Sequence, residues 1–152
     1  MRHRIASSLL LVVAFVVLSS VRAQAAPPKQ QQGCLPYEPT IVTLTGQLRR
    51  QTFPGAPNYR SVRRGDKPEV HWVLRLSEAA CTNADSQNET NVAEREITSV
   101  QLVLDARQYR RWRKLLRGQT AVVVSGTLFH QISAHHYTPV LLNVTDMRRA
   151  TE

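Results

Sequence analysis

Val122-Val123-Val124-Ser125-Gly126-Thr127-Leu128-Phe129-His130-Gln131-Ile132-Ser133-Ala134-His135-His136-Tyr137-Thr138-Pro139-Val140-Leu141-Leu142-Asn143-Val144 is the stretch that decides how the chain is read. Two apolar runs flank a polar connection holding His130, His135 and His136, three of the five histidines. The pattern is that of a β-hairpin with an imidazole-rich tip. Its strands are expected over 120–129 and 137–146, with 148–152 left as a short polar tail.

Working back from the hairpin, Asp105 is placed to cap a helix running through Leu116, in which Tyr109, Trp112, Leu115 and Leu116 recur at spacings of three and four. Gly118 fits its stop. Arg107, Arg110, Arg111, Arg113, Lys114 and Arg117 decorate this helix and read as a solvated face. Three further strands precede it, at 97–104, 69–77 and 40–48, each alternating apolar and polar residues. Gly46 inside the first predicts a bulge or sharp bend.

Two connections differ in character. Residues 49–68 hold three prolines, two glycines and six cations around Phe53-Pro54-Gly55-Ala56-Pro57-Asn58-Tyr59, a composition that predicts a long shaped loop. Residues 82–96 are polar and predict an exposed loop. The ordered Asp/Asn ladder of a calcium loop, with its central Gly and terminal Glu, is missing from it.

The chain begins as an exported protein would. Arg2 and Arg4 precede the apolar Leu9–Leu18 run, and Ala23-Gln24-Ala25 supplies small residues for cleavage, so 1–25 is expected to be a signal peptide and 26–33 a flexible leader. The apolar run is too short to span a bilayer, so the mature chain is expected to carry no transmembrane segment. A single domain over 34–147 follows. The chain carries 20 Lys and Arg against 11 Asp and Glu; cleavage would remove Arg2, Arg4 and Arg22 and leave a net charge of +6. That balance favours anionic ligands or envelope proteins as partners, and export makes nucleic acid unfavoured. Cys34 and Cys81 are expected to form a disulfide, since neither redox nor zinc spacing is present.

Strand, strand, strand, helix, strand, strand is the order of an OB-fold, a five-stranded Greek-key barrel with a helix between strands three and four. The inward set is then even-numbered: Val42, Leu44, Val70, Trp72, Leu74, Val100, Leu102, Val122, Val124, Val140, Leu142 and Val144. Tyr109, Trp112 and Leu116 would plug one end. In this fold the ligand face lies on strands two and three, between the loops joining strands one to two and four to five. The candidate ligand-binding residues are therefore Phe53, Asn58, Tyr59, Arg60, Arg63, His71, Arg75, His130, His135, His136 and Tyr137.

Leu44-Thr45-Gly46, Phe53 to Tyr59, Trp72-Val73-Leu74 and His135-His136-Tyr137-Thr138-Pro139-Val140-Leu141-Leu142 together resemble a bacterial family of small exported proteins, domain of unknown function 4431. The resemblance would cover about residues 34–146. It implies export and no established activity. Ser133-Ala134 stand where a glycine is expected before the paired histidines.

Catalysis is disfavoured, because no nucleophile elbow or paired acid motif accompanies the histidines. Two functions stay open. One is a non-catalytic binding module that meets an anionic ligand or partner protein through 49–68 and 130–137. The other is a transition-metal module at the hairpin tip with His130, His135 and His136 as candidate ligands for zinc or copper; adjacent strand residues point to opposite faces, so His130 with either His135 or His136 is the favoured pair and His71 a distant third.

Overall fold

The computed structural model describes residues 33–150, and the expected signal peptide and most of the expected leader lie outside them. Five strands and one helix follow in the order β1 (Ile41–Pro54), β2 (Pro68–Thr82), β3 (Glu94–Val103), α1 (Ala106–Gly118), β4 (Ala121–His130) and β5 (Val140–Arg149), with a 3-10 turn at Val62–Arg64. The sheet closes on itself as β1-β2-β3-β5-β4. Only β3 and β5 run parallel, through Gln101–Val103 and Leu141–Asn143. This is the predicted five-stranded barrel with its helix between strands three and four, consistent with an OB-like architecture. The compact unit Gln32–Glu152 contains all of it.

Period-two burial builds the barrel. Val42, Leu44 and Leu48 of β1 meet Leu74, Val100, Leu102, Val122, Val124, Leu128, Val140, Leu142 and Val144, all nearly inaccessible. Two members of the expected inward set depart from it. Trp72 is only partly buried against the core, and Val70 is 41 % exposed. The reason is length: β1 and β2 continue as a paired ribbon, Arg49↔Val73 to Pro54↔Pro68, beyond the last fully closed level at Leu48 and Leu74. Much of the stretch expected as loop at 49–68 is therefore strand, and only Gly55–Lys67 connects.

β1 serves two neighbours in turn. Ile41–Gln47 pairs with β4 and Gly46–Pro54 with β2, so the strand changes partners at Gly46. No register shift occurs there, against the bulge expected; glycine is needed because a Cβ would press on the Arg75 carbonyl. The irregularities lie instead between Ser125 and Gly126 on β4 and along the end of β2.

The helix is set as expected at its start. Asp105 accepts from the Gln108 amide at 2.7 Å while the Gln108 side chain accepts from the Asp105 amide at 2.8 Å, a capping box. Gln108 also donates to the Val144 carbonyl at 2.6 Å and ties the first turn to β5. The stop is one residue later than expected, with Gln119 rather than Gly118 left-handed at φ 45°. Trp112 and Leu116 plug the barrel, but Tyr109 is 44 % exposed and does not. Arg148 and Arg149, expected in the polar tail, are the last residues of β5 and pair with β4.

Cys34 and Cys81 are disulfide-bonded as expected, and Leu35 bridges Thr82. The polar loop 83–93 is less open than expected. Asn91 is buried and accepts from the His130 amide at 3.1 Å, and the Val92 carbonyl accepts from the buried Tyr37 hydroxyl at 2.7 Å. Among the described residues no helix is long and apolar enough to cross a membrane.

Candidate functional site

The site is assembled on the outer, odd-numbered face of the sheet. Residues paired across neighbouring strands share a face, and alternate residues do too. Phe53 pairs with Glu69, His71 follows two residues on, and Val73 lies between Arg49 and Gln101, with Leu141 beyond Gln101. An outward face is normally solvated. Here Val73, Gln101 and Leu141 are buried, and the β4–β5 connection folds back over Gln101.

Gln101 holds that connection down. Its side-chain oxygen accepts from the Tyr137 amide at 2.8 Å, its amide nitrogen donates to the His135 carbonyl at 3.1 Å and contacts His71 Nδ1 at 3.2 Å, and its backbone donates to Thr138 Oγ1 at 2.9 Å. Every polar group of this buried side chain is satisfied. The loop is thus a fitted cover.

Glu69 sits at the centre of what the cover creates. Its carboxylate accepts from His135 Nδ1 at 2.8 Å and from the Tyr137 hydroxyl at 3.0 Å, with His71 Nε2 at 3.4 Å. The His135 bond, ahead of those from Tyr137 and His71, holds the Glu69 carboxyl below its usual range. Burial, reinforced by the hydrogen bond to Glu69 and its charge, pushes the Tyr137 phenol up to about 12. Tyr137 therefore stays a donor at neutral pH. Its ring stacks on Phe53 at 4.3 Å between centroids and 8° between planes, and His71 tilts against both rings.

Tyr59 joins from the other loop. Its ring meets His135 edge-on at 5.5 Å, and its hydroxyl lies 3.4 Å from His135 Nε2. Tyr59 takes φ 55°, a left-handed conformation that costs a non-glycine residue on the order of 1 kcal/mol. The surrounding loop holds it there. Asp66, 4 % exposed, accepts from the amides of Ser61 and Arg60 at 2.7 Å each, and from the backbone and side chain of Asn58 at 2.9 and 3.1 Å. Four donors around one carboxylate rigidify the 58–66 turn, and those from Ser61 and Arg60 do most to lower its pKa to about 2.

Because the folded pKa of Asp66 lies below its ordinary value of 3.8, its contribution to stability is complete above about pH 4 and disappears as pH falls towards 2. Asp66→Asn is expected to melt lower than the wild type at pH 7 and to show a flatter fall in Tm between about pH 4 and pH 2. Scanning calorimetry across that range checks this; parallel Tm curves for the two proteins would contradict it.

An open cleft of about 390 Å³ runs beside this cluster. Its polar wall is His71, Gln101, His135 and His136, and its apolar wall includes Val70, Trp72, Val103 and Tyr109. No carboxylate lines it. His136 accepts from the Ile132 amide at 3.0 Å through Nδ1, and burial, ahead of the neighbouring His135 and His71, lowers its pKa, so it is neutral at pH 7.

Of the residues singled out in the sequence, Phe53, Tyr59, His71, His135 and Tyr137 converge, and His136 lines the adjoining cleft. The others do not join them. Asn58 is turned into the loop to bind Asp66, Arg60 and Arg63 are exposed on that loop, and Arg75 is exposed on β2 opposite Gln47 and Ser99. His130 pairs with Glu94 at 2.9 Å. The three candidate metal ligands thus go to three partners, Glu94, Glu69 and the Ile132 amide. Among the described residues no group of three His, Cys, Asp or Glu side chains is arranged to hold a metal ion.

Glu69, Gln101, Asp66 and Thr138 were missed. Glu69 and Gln101 carried a signal, since each occupies an outward position on β2 or β3, the two strands expected to form the ligand face. No curated protein and no solved structure was found to match the chain. Phe53, Tyr59, Asp66 and Glu69 lie upstream of the segment that matches a family model. Residues 99–148, from Ser99 in β3 to Arg148 in β5, match the family model described as Domain of unknown function (DUF4431), the family that the sequence motifs resemble.

Proposed function

We propose that this protein is an exported, non-catalytic recognition module that receives an anionic ligand or an acidic segment of a partner protein in the cleft beside Glu69. The observation that carries this reading is the meeting of the β4–β5 connection with the β1–β2 connection, Tyr59 on His135, and with the end of β1, Phe53 on Tyr137, next to an open cleft. Preorganised aromatic and imidazole groups around a concave surface are the usual makings of a ligand site. Glu69 does not oppose an anion, because its charge is directed at His135, Tyr137 and His71. The groups left facing outward are imidazole edges and, on the loop above, exposed Arg60 and Arg63. Three of the large apolar side chains that remain exposed, Val70, Val103 and Tyr109, also line the cleft, which suits a ligand with an apolar portion. The disulfide supports export, since such bonds persist in oxidising compartments.

Titration of the ¹⁵N-labelled protein with a Glu-rich octapeptide and with citrate tests the reading. Amide shifts are expected to concentrate at 58–61, 71, 101 and 135–137, and Arg60→Gln/Arg63→Gln is expected to weaken binding by roughly fivefold to tenfold. Shifts confined to other surfaces, or none with either probe, would remove it.

A further inference from the structure

The outward face of α1 is a second charged surface, separate from the loops of the cleft. Within Ala106–Gly118 there are six cations, Arg107, Arg110, Arg111, Arg113, Lys114 and Arg117, and no acid. All six are exposed. Among the described residues every ion pair joins a histidine to a glutamate, so none of these cations is ion-paired, and Arg111 alone lies over an aromatic ring, that of Trp112, at 5.4 Å.

Such a helix is charged against its own stability. Arg110 has Arg107, Arg113 and Lys114 three or four residues away, spacings at which like charges destabilise a helix. Arg107 lies in the first turn, where the helix dipole disfavours a cation. A solvated face needs neither arrangement, since alternating signs would dissolve as well.

At 100° per residue the six cations fall within an arc of about 160°, centred opposite the buried Trp112 and Leu116. That breadth decides the partner. A single polymer strand or peptide touches a narrow stripe or enters a groove, whereas a convex helix with cations over its whole outer half suits an extended plane of negative charge. Long arginine and lysine stems allow those at the edges of the arc to reach such a plane.

We infer that α1 is a docking face for an anionic lipid surface, on which the barrel lies with Trp112 and Leu116 turned inward and the six cations towards the headgroups. Binding is electrostatic, because no large apolar side chain lies within the cationic arc to insert.

Co-sedimentation of the 32–152 unit with vesicles tests this. The wild type is expected to bind phosphatidylcholine vesicles containing about 30 % phosphatidylglycerol, to ignore pure phosphatidylcholine, and to be released between about 50 and 500 mM salt. Arg110→Gln/Arg113→Gln/Lys114→Gln is expected to weaken binding on the order of 100-fold. Arg50→Gln/Arg64→Gln/Arg148→Gln, which removes the same charge from β1, the 3-10 turn and β5, is expected to change it by less than about fivefold. The α1 variant should also melt no lower than the wild type, since it relieves repulsion. Equal losses in both variants would reduce the effect to net charge and overturn the assignment. So would binding to soluble polyphosphate with none to anionic vesicles, or binding to neither.

Discussion

Replacing Gly46 with alanine is expected to destabilise the domain by about 3 kcal/mol or more, at the upper end of the cost of overpacking. A Cβ at this position would meet the Arg75 carbonyl carbon at 2.9 Å and Leu76 Cα at 3.0 Å, with the carbonyl oxygen closer still. Those atoms belong to a paired strand. Relief would require β1 and β2 to separate where β1 is also bound to β4, Gly46 being opposite Leu76 on one side and Val122 on the other. The sign is informative, because glycine to alanine in an unobstructed strand normally stabilises. Gly118→Ala provides the contrast: its nearest neighbour, Thr120 Cγ2, would lie at 3.4 Å, an ordinary contact. Urea unfolding of the two variants, followed by tryptophan fluorescence, measures the difference. A Gly46→Ala midpoint equal to that of the wild type would mean that β1 does not change partners in the close-packed way described.

Cys34→Ser/Cys81→Ser carries the second large effect, a loss of about 4 kcal/mol from releasing a closed loop with a sequence separation of 47. In a domain of this size that is a fall in Tm of roughly 15 °C or more. The bond anchors an arm as well as closing a loop. Residues 34–37 run along the end of β2 through Leu35 N to the Cys81 carbonyl at 2.7 Å and Asn83 N to the Leu35 carbonyl at 3.1 Å. Tyr37 then donates to the Val92 carbonyl and accepts from Thr82, reaching the 83–93 loop. Hydrogen exchange of the double variant should accelerate first at 35 and at 83–92, ahead of the barrel. Uniform acceleration would place the contribution in the unfolded chain alone.

Much of the barrel could be read from alternation. The even-numbered set of β1, β3, β4 and β5 is the core, and Asp105 caps α1 as expected, because both patterns depend on residues a few positions apart. Val70 departed for a related reason: it keeps the right periodicity but lies past the level at which the barrel closes, and periodicity does not report where closure ends. The histidine tip was legible as a place and not as a chemistry: of three imidazoles close in sequence, His136 binds the Ile132 amide within its own loop, while His130 and His135 acquired Glu94 and Glu69 once β3 and the start of β2 came alongside.

Glu69 and Gln101 mark the boundary most clearly. In the sequence they are polar residues on outward strand positions, which period two assigns to solvent. The burial of Gln101 and the hydrogen bonds to Glu69 follow from a loop, 131–139, that is far from both in sequence and is brought alongside them by the β1-β2-β3-β5-β4 closure. Asp66 is similar at shorter range, since its four donors depend on the turn of Gly55–Lys67 and not on any spacing. What the sequence determined by itself was the strand and helix periodicity, the disulfide pair and the two loops around which a site could form. Only the tertiary structure decided which side chains meet there, because hydrogen bonds among polar side chains require positions that non-local strand pairing alone supplies.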